Sequence, residues 1–148
     1  MIAKRPSTIR MRGRALYLTE DTQTLGAQLA SADPVTLKWD PSRKLIDNIS
    51  TDEITPGWVC FWYDETLGHY VLVGLRGGVI QKDSLFGKGF SSIVSGLSKG
   101  CGSSRETAPF AEKYAGIELV FAKTIEKIYG QNCQNIGLLT STDMGLLA

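Results

Sequence analysis

Apolar residues first gather at Ala15–Thr19 (ALYLT), a pattern that predicts a short strand. Leu25 and Leu29 recur four residues apart within Glu20–Ala30, which predicts a modest helix with Asp21 near its start. Residues 31–57 are polar and carry Pro34, Pro41, Pro56 and Gly57. Within them Asp47–Gly57 (DNISTDEITPG) predicts a long functional loop rather than a strand. Two apolar runs follow, Trp58–Tyr63 (WVCFWY), apolar and aromatic throughout, and Tyr70–Leu75 (YVLVGL), alternating around Val71, Val73 and Leu75. With Asp64, Glu65 and Gly68 between them, the runs predict a β-hairpin. Gly77-Gly78 interrupts, Val79-Ile80 restarts strand character, and residues 82–89 are loop-like.

The second half has a different rhythm. Phe90–Ser95 (FSSIVS) predicts a strand that runs into the glycine- and serine-rich turn GLSKGCGSS. Arg105–Ala115 reads as a helix, Ile117–Lys123 (IELVFAK) as a strand, and Thr124–Tyr129 as the start of a second helix. Strand, glycine turn, helix, strand, helix is a βαβ-like succession, which predicts a partly parallel sheet in an α/β domain.

At 148 residues the chain suits one domain, here residues 15–148. Residues 1–14 hold Lys4, Arg5, Arg10, Arg12 and Arg14 without an acid, and are expected to form a basic flexible leader. The overall charge of +1 argues against a general nucleic-acid or membrane-surface binder. No apolar run approaches the ~18 residues of a membrane helix. Cys60, Cys101 and Cys133 form no C-x-x-C pair, so no disulfide framework, zinc site or iron–sulfur cluster held by this chain alone is expected, and a cytoplasmic setting fits.

The chemistry concentrates in Gly100-Cys101-Gly102-Ser103-Ser104-Arg105-Glu106. Small residues allow a sharp turn after a strand, and the following helix N-terminus offers free N–H groups and partial positive charge to an anion. Ser103 and Ser104 add hydroxyls, and Arg105 can grip a carboxylate through two parallel bonds. The same residues also suit a plain structural role, with Ser103 or Ser104 capping the helix and Arg105 paired at the surface. The residues alone leave both readings open. The Lys-Ser/Thr ending of a P-loop is missing, and no G-x-S-x-G motif accompanies the single histidine, His69, expected in an exposed turn.

GSSRETAP at Gly102–Pro109 resembles the GSSREHAP signature of small subunits and swivelling domains in the aconitase and 3-isopropylmalate dehydratase superfamily. DNISTDEITPG resembles that family's threonine–aspartate loop, and AGIELVFAKTIEKIYGQNCQNIGLL (Ala115–Leu139) its final stretch, in the same order along the chain. The resemblance spans about residues 45–140. It implies a single swivelling β/β/α domain with a mixed sheet flanked by helices. It also implies a hydro-lyase that dehydrates and rehydrates a hydroxy-di- or tricarboxylate, isopropylmalate- or aconitate-like. On this reading Ser103 is the base that exchanges a proton with substrate carbon, and Arg105 binds a substrate carboxylate beside Ser104. Thr51 and Asp52 support the site, and Arg76 is a candidate carboxylate ligand. The chain would bind no cofactor. A [4Fe–4S] cluster would sit on a large catalytic subunit, or on fused catalytic domains, without which the chain is inactive. Thr107 stands where the family has histidine, which leaves the substrate open. The rival reading is a non-catalytic RNA- or carboxylate-binding module built on the same fold.

Overall fold

Four short strands make one sheet, in the order β1 (Arg14–Tyr17), β2 (Phe90–Ser95), β3 (Leu119–Ala122) and β4 (Leu139–Ser141). The structure, a computed structural model, describes residues 7–148; the start of the basic leader, residues 1–6, lies outside them. Among the described residues all three strand pairings are parallel, and antiparallel pairing is confined to an isolated bridge between Thr19 and Leu45. The α/β expectation therefore holds, with β2–helix–β3 and β3–helix–β4 as successive crossovers.

Period-two alternation assigns the sheet its two faces. Leu16, Ile93 and Val120 sit side by side in register and join the main core. Tyr17, Val94 and Phe121 form the next row and face a smaller cluster with Leu45, backed by Leu37, Trp39, Met144 and Leu147. Every residue of β2 is buried, as the centre of a covered sheet requires.

Helix α1 (Thr22–Leu29) starts where expected, with the Asp21 carboxylate accepting from the Gln23 and Thr24 amides. Its buried Gln28 accepts from the Tyr17 amide and donates to the Tyr17 carbonyl, both at 2.9 Å, and so completes the edge of β1 that no strand among the described residues pairs with. Helix α2 (Thr51–Ile54) is a single turn inside the predicted loop. Helix α3 (Thr107–Tyr114) joins β2 to β3, and α4 (Lys127–Ile136) joins β3 to β4. Helix α4 closes on Gly137 in the left-handed conformation.

The predicted hairpin over residues 58–75 does not form. Val59–Phe61 and Glu65–Tyr70 are 3-10 turns, residues 71–74 are a further turn, and Val79-Ile80 is not a strand. Tertiary contacts override the strand-like composition. Val59, Leu67, Val71, Leu72 and Leu75 all reach the main core, while Trp62 stacks flat on Tyr70 at 4.9 Å between ring centres. The Leu72 and Gly74 amides donate to the carbonyls of Ile54 and Glu53, docking the segment on α2. At Gly74 a side chain would stand 2.7 Å from Pro56 Cγ and 2.8 Å from the Asp52 carbonyl, so only glycine permits this approach.

Candidate active site

The two motif-bearing loops meet beyond the C-terminal end of β2, the usual ligand side of a parallel sheet. They are zipped together by backbone bonds. Gly96 donates to Ile46 (2.9 Å), Asn48 to Leu97 (2.7 Å), Gly100 to Ile49 (2.7 Å) and Thr51 to Cys101 (2.9 Å). Asp47 adds its carboxylate to the Leu97 amide at 2.7 Å. This ladder brings residues some fifty positions apart to one place.

Ser50 then starts α2 through a reciprocal cap: its hydroxyl accepts from the Glu53 amide, and the Glu53 carboxylate accepts from the Ser50 amide, both at 3.1 Å. The cap presents Thr51 to the serine loop. Thr51, only 1% exposed, donates to the Ser103 carbonyl at 2.8 Å, and its oxygen lies 3.2 Å from Ser103 Oγ. Because the Thr51 proton is engaged by the carbonyl, Ser103 can donate its own proton to Thr51 Oγ1. Ser103 and Ser104 are both exposed.

Arg105 bends back over α2. Its Nη1 bonds the Asp52 carboxylate and donates to the Thr55 carbonyl at 3.0 Å. Nε and Nη2 form the other edge of the fork, and Gly57 lies beside Nη2. The Arg105 and Asp52 side chains are 32% and 67% exposed, so the pair orients the guanidinium more than it stabilises the fold. Neither serine caps α3: the helix starts after Glu106 without a side-chain cap, and no acid lies in its first turn. Within its first turn Pro109 has no N–H, and the Ala108 amide donates to the Arg105 carbonyl at 3.4 Å, so the helix start offers few free amides.

Thr51, Asp52, Ser103 and Arg105 therefore come together. Arg76 reaches the opposite flank of α2 and is already committed. It grips Glu53 with Nε (3.0 Å) and Nη2 (2.7 Å), and also donates from Nη2 to the Asn48 carbonyl at 2.7 Å. Burial opposes ionisation of Glu53, but bonds from Arg76 and from the Ser50 amide outweigh it and hold the carboxyl below its ordinary value. Thr107 is buried, its hydroxyl 3.0 Å from Thr55 Oγ1 and 3.2 Å from Cys60 Sγ. It thus supports the same Thr55 whose carbonyl holds Arg105. His69 pairs with Asp83 at 2.5 Å and stacks on Phe86.

Glu53 and the Thr55–Cys60–Thr107 contact went unread in the sequence. The Ser50-x-x-Glu53 spacing is a legible capping-box signal, whereas the hydroxyl–thiol cluster joins residues about fifty positions apart and leaves no local trace. Among the described residues, no three His, Cys, Asp or Glu side chains are grouped to hold a metal. Cys133 is a poor ligand on its own chemistry, since burial foremost, with Glu112 nearby, pushes its thiol up to about 12. These residues do not fit an iron–sulfur cluster.

A parallel α/β domain with a Thr–Asp helix turn seated against a Ser-Ser-Arg-Glu loop is consistent with the resemblance to aconitase-like swivelling domains. The Aconitase C-terminal domain family matches residues 83–142, from the approach to β2 through β4. The chain is 43% identical over 97 residues to the methanogen homoaconitase small subunit of Methanothermobacter thermautotrophicus, covering 62% of this chain and 52% of that protein. It is 40% identical over 96 residues to the 3-isopropylmalate dehydratase small subunit of Hydrogenobaculum sp., covering 64% and 56% respectively. The crystal structure of 3-isopropylmalate dehydratase from Methanocaldococcus jannaschii matches with a TM-score of 0.52 at 35% identity, covering 64% of this chain and 55% of that one. The chain is thus similar, over its second half, to the Aconitase C-terminal domain, and the relatives it matches here are small subunits of homoaconitase and 3-isopropylmalate dehydratase. It spans about half the length of the curated relatives it matches.

Proposed function

We propose that this chain is the small subunit or swivelling domain of a cytoplasmic hydro-lyase acting on a hydroxy-di- or tricarboxylate of the isopropylmalate or aconitate kind. The observation that carries the reading is the pairing of Thr51 with Ser103 beside an arginine already oriented by Asp52. Ser103 Oγ, as the alkoxide, takes the proton from substrate carbon and becomes a neutral hydroxyl. The C–H electron pair forms the new C=C bond, and the C–O pair leaves with the neighbouring hydroxyl as hydroxide, which a Lewis acid on the partner would accept. Readdition of water reverses the sequence.

A serine hydroxyl is a weak acid, so the alkoxide needs fixed donors. Thr51 can supply one by turning its proton from the Ser103 carbonyl to Ser103 Oγ, a rotation about a single bond between acceptors 2.8 and 3.2 Å away. The α3 dipole, whose N-terminus follows this loop directly, adds a modest positive potential. Arg105 offers its Nε–Nη2 edge to a substrate carboxylate while Nη1 stays on Asp52 and Thr55, and Ser104 adds a hydroxyl. Arg76 reaches a second carboxylate only by giving up Glu53. The [4Fe–4S] cluster implied by the family belongs, on this reading, to a large subunit or fused catalytic domains that close over the exposed serine loop.

Anaerobic affinity capture from the source cells tests this, followed by iron analysis and hydratase assays across isopropylmalate, citrate, homocitrate and their dehydrated forms. Co-capture of an iron–sulfur protein, with turnover of one such acid, is expected. A chain recovered alone and unable to restore turnover to any such protein would overturn the assignment.

A further inference from the structure

Directly before the serine loop lies a lysine that the reaction does not use. Lys99 is 0% exposed, and its Nζ donates to Glu112 Oε2 at 2.8 Å and to the Tyr129 hydroxyl at 3.2 Å. The Tyr129 hydroxyl in turn donates to Glu112 Oε1, closing a ring of three bonds. Glu112 is also 0% exposed and Tyr129 is 2% exposed, and Nζ lies 4.8 Å from the Tyr129 ring centre. The three residues come from the root of the loop, from α3 and from α4.

Such an ion pair is a weak stabiliser, because desolvation of both charges offsets most of their attraction, and apolar residues of similar volume often do as well. What the ring supplies is a fixed position. The Lys99 amide donates to the Thr124 carbonyl at 3.1 Å, and its carbonyl accepts from the Glu126 amide at 3.0 Å. Main chain and side chain of Lys99 are thus both anchored directly before Gly100. Gly100 has φ +85° and lies flat against the Tyr129 ring, where a Cβ would come within 2.1 Å of the ring carbon Cγ. Three residues further on is Ser103.

We propose that Lys99, Glu112 and Tyr129 form a positioning network that fixes the serine loop between α3 and α4, and so sets Ser103 against Thr51. The catalytic consequence rests on the proposed function above; the mechanical one does not. A loop released at its root keeps its residues but loses the Ser103–Thr51 geometry, and misplacement by ~1 Å costs about a hundredfold in rate.

The test is the triple variant Lys99→Met, Glu112→Leu, Tyr129→Phe, which removes every charge and hydroxyl together and strands none. Tyr129→Phe alone is the milder companion, in case the triple variant does not fold. Amide hydrogen exchange on the full chain should accelerate at least about tenfold at residues 100–103 in the triple variant and about threefold in Tyr129→Phe, with β2 and β3 amides unchanged; a ~1.4 kcal/mol loss corresponds to tenfold. In the reconstituted enzyme kcat per active site should fall at least tenfold at unchanged KM, a split that simple loss of folded protein does not produce. Unchanged exchange at residues 100–103 in Tyr129→Phe, or in a folded triple variant, overturns the network's role whatever the activity. Accelerated exchange with unchanged kcat overturns its link to Ser103. Accelerated exchange in a chain whose wild type supports no hydratase supports the clamp while refuting the proposed function.

Discussion

Replacing Thr51 with Val keeps the shape of a fully buried side chain and deletes one hydroxyl. That hydroxyl makes two contacts, 2.8 Å to the Ser103 carbonyl and 3.2 Å to Ser103 Oγ, and they separate into two measurable effects. Loss of this donor costs about 0.5–1.5 kcal/mol of stability, since the carbonyl keeps its bond from the Arg105 amide at 2.9 Å. For a chain of this size that lowers Tm by roughly 2–4 °C per kcal/mol. Loss of a donor to a developing alkoxide costs about 1.5–3 kcal/mol of transition-state stabilisation, or roughly 10–150-fold in kcat. The assay is steady-state hydration of the unsaturated acid by the reconstituted complex, run well below Tm, with thermal unfolding in parallel. KM should change little, because Thr51 contacts Ser103 rather than the carboxylate-binding edge of Arg105. A Tm loss with kcat within twofold of wild type would show that Thr51 only braces the loop, and the two-acceptor argument would fail.

Two further expectations concern ionisation. The carboxyl of Glu53 is held below its ordinary value in the folded chain, so its contribution to stability is fully present above the unfolded Glu range and lost as pH falls through the lowered value. The Tm gap between wild type and Glu53→Gln, clear at pH 6, should therefore narrow towards pH 3; a constant gap would refute the Arg76–Glu53 argument. Cys133, buried and with its thiol pushed up to about 12, should resist iodoacetamide at pH 8 in the native chain, while the partly exposed Cys60 and Cys101 react. Mass mapping of prompt labelling at Cys133 would contradict its packing.

Where local chemistry decides an element, the sequence was a sufficient guide. Asp21 caps α1, β2 runs over the predicted Phe90–Ser95, and the β2–α3–β3 order follows from alternating apolar runs and the glycine turn. The hairpin failed because Trp58–Leu75 has strand-like composition, yet its backbone bonds close local turns or, at Leu72 and Gly74, go to α2, and its apolar side chains enter the core from turns. Strand β4 escaped notice because it is three residues long, lies at the sheet edge and exposes Leu139. At the site, the resemblance named Ser103, Arg105, Thr51 and Asp52, and the fold explains how they meet, through the ladder between residues 46–51 and 96–101. It could not reveal that Glu53 occupies Arg76, or that Lys99, Glu112 and Tyr129 find one another across helices, since such partners are chosen by packing rather than by spacing.

The central claim is that Ser103 handles the carbon-bound proton. Its most direct test is Ser103→Ala in the reconstituted enzyme, measuring both turnover and exchange of the substrate's C–H with deuterium from solvent. Both should fall together by about a hundredfold or more while the complex still assembles, as general-base contributions of roughly 10²–10⁴ imply. Near-normal exchange or turnover in the assembled variant would contradict it, and would pass the proton to another group.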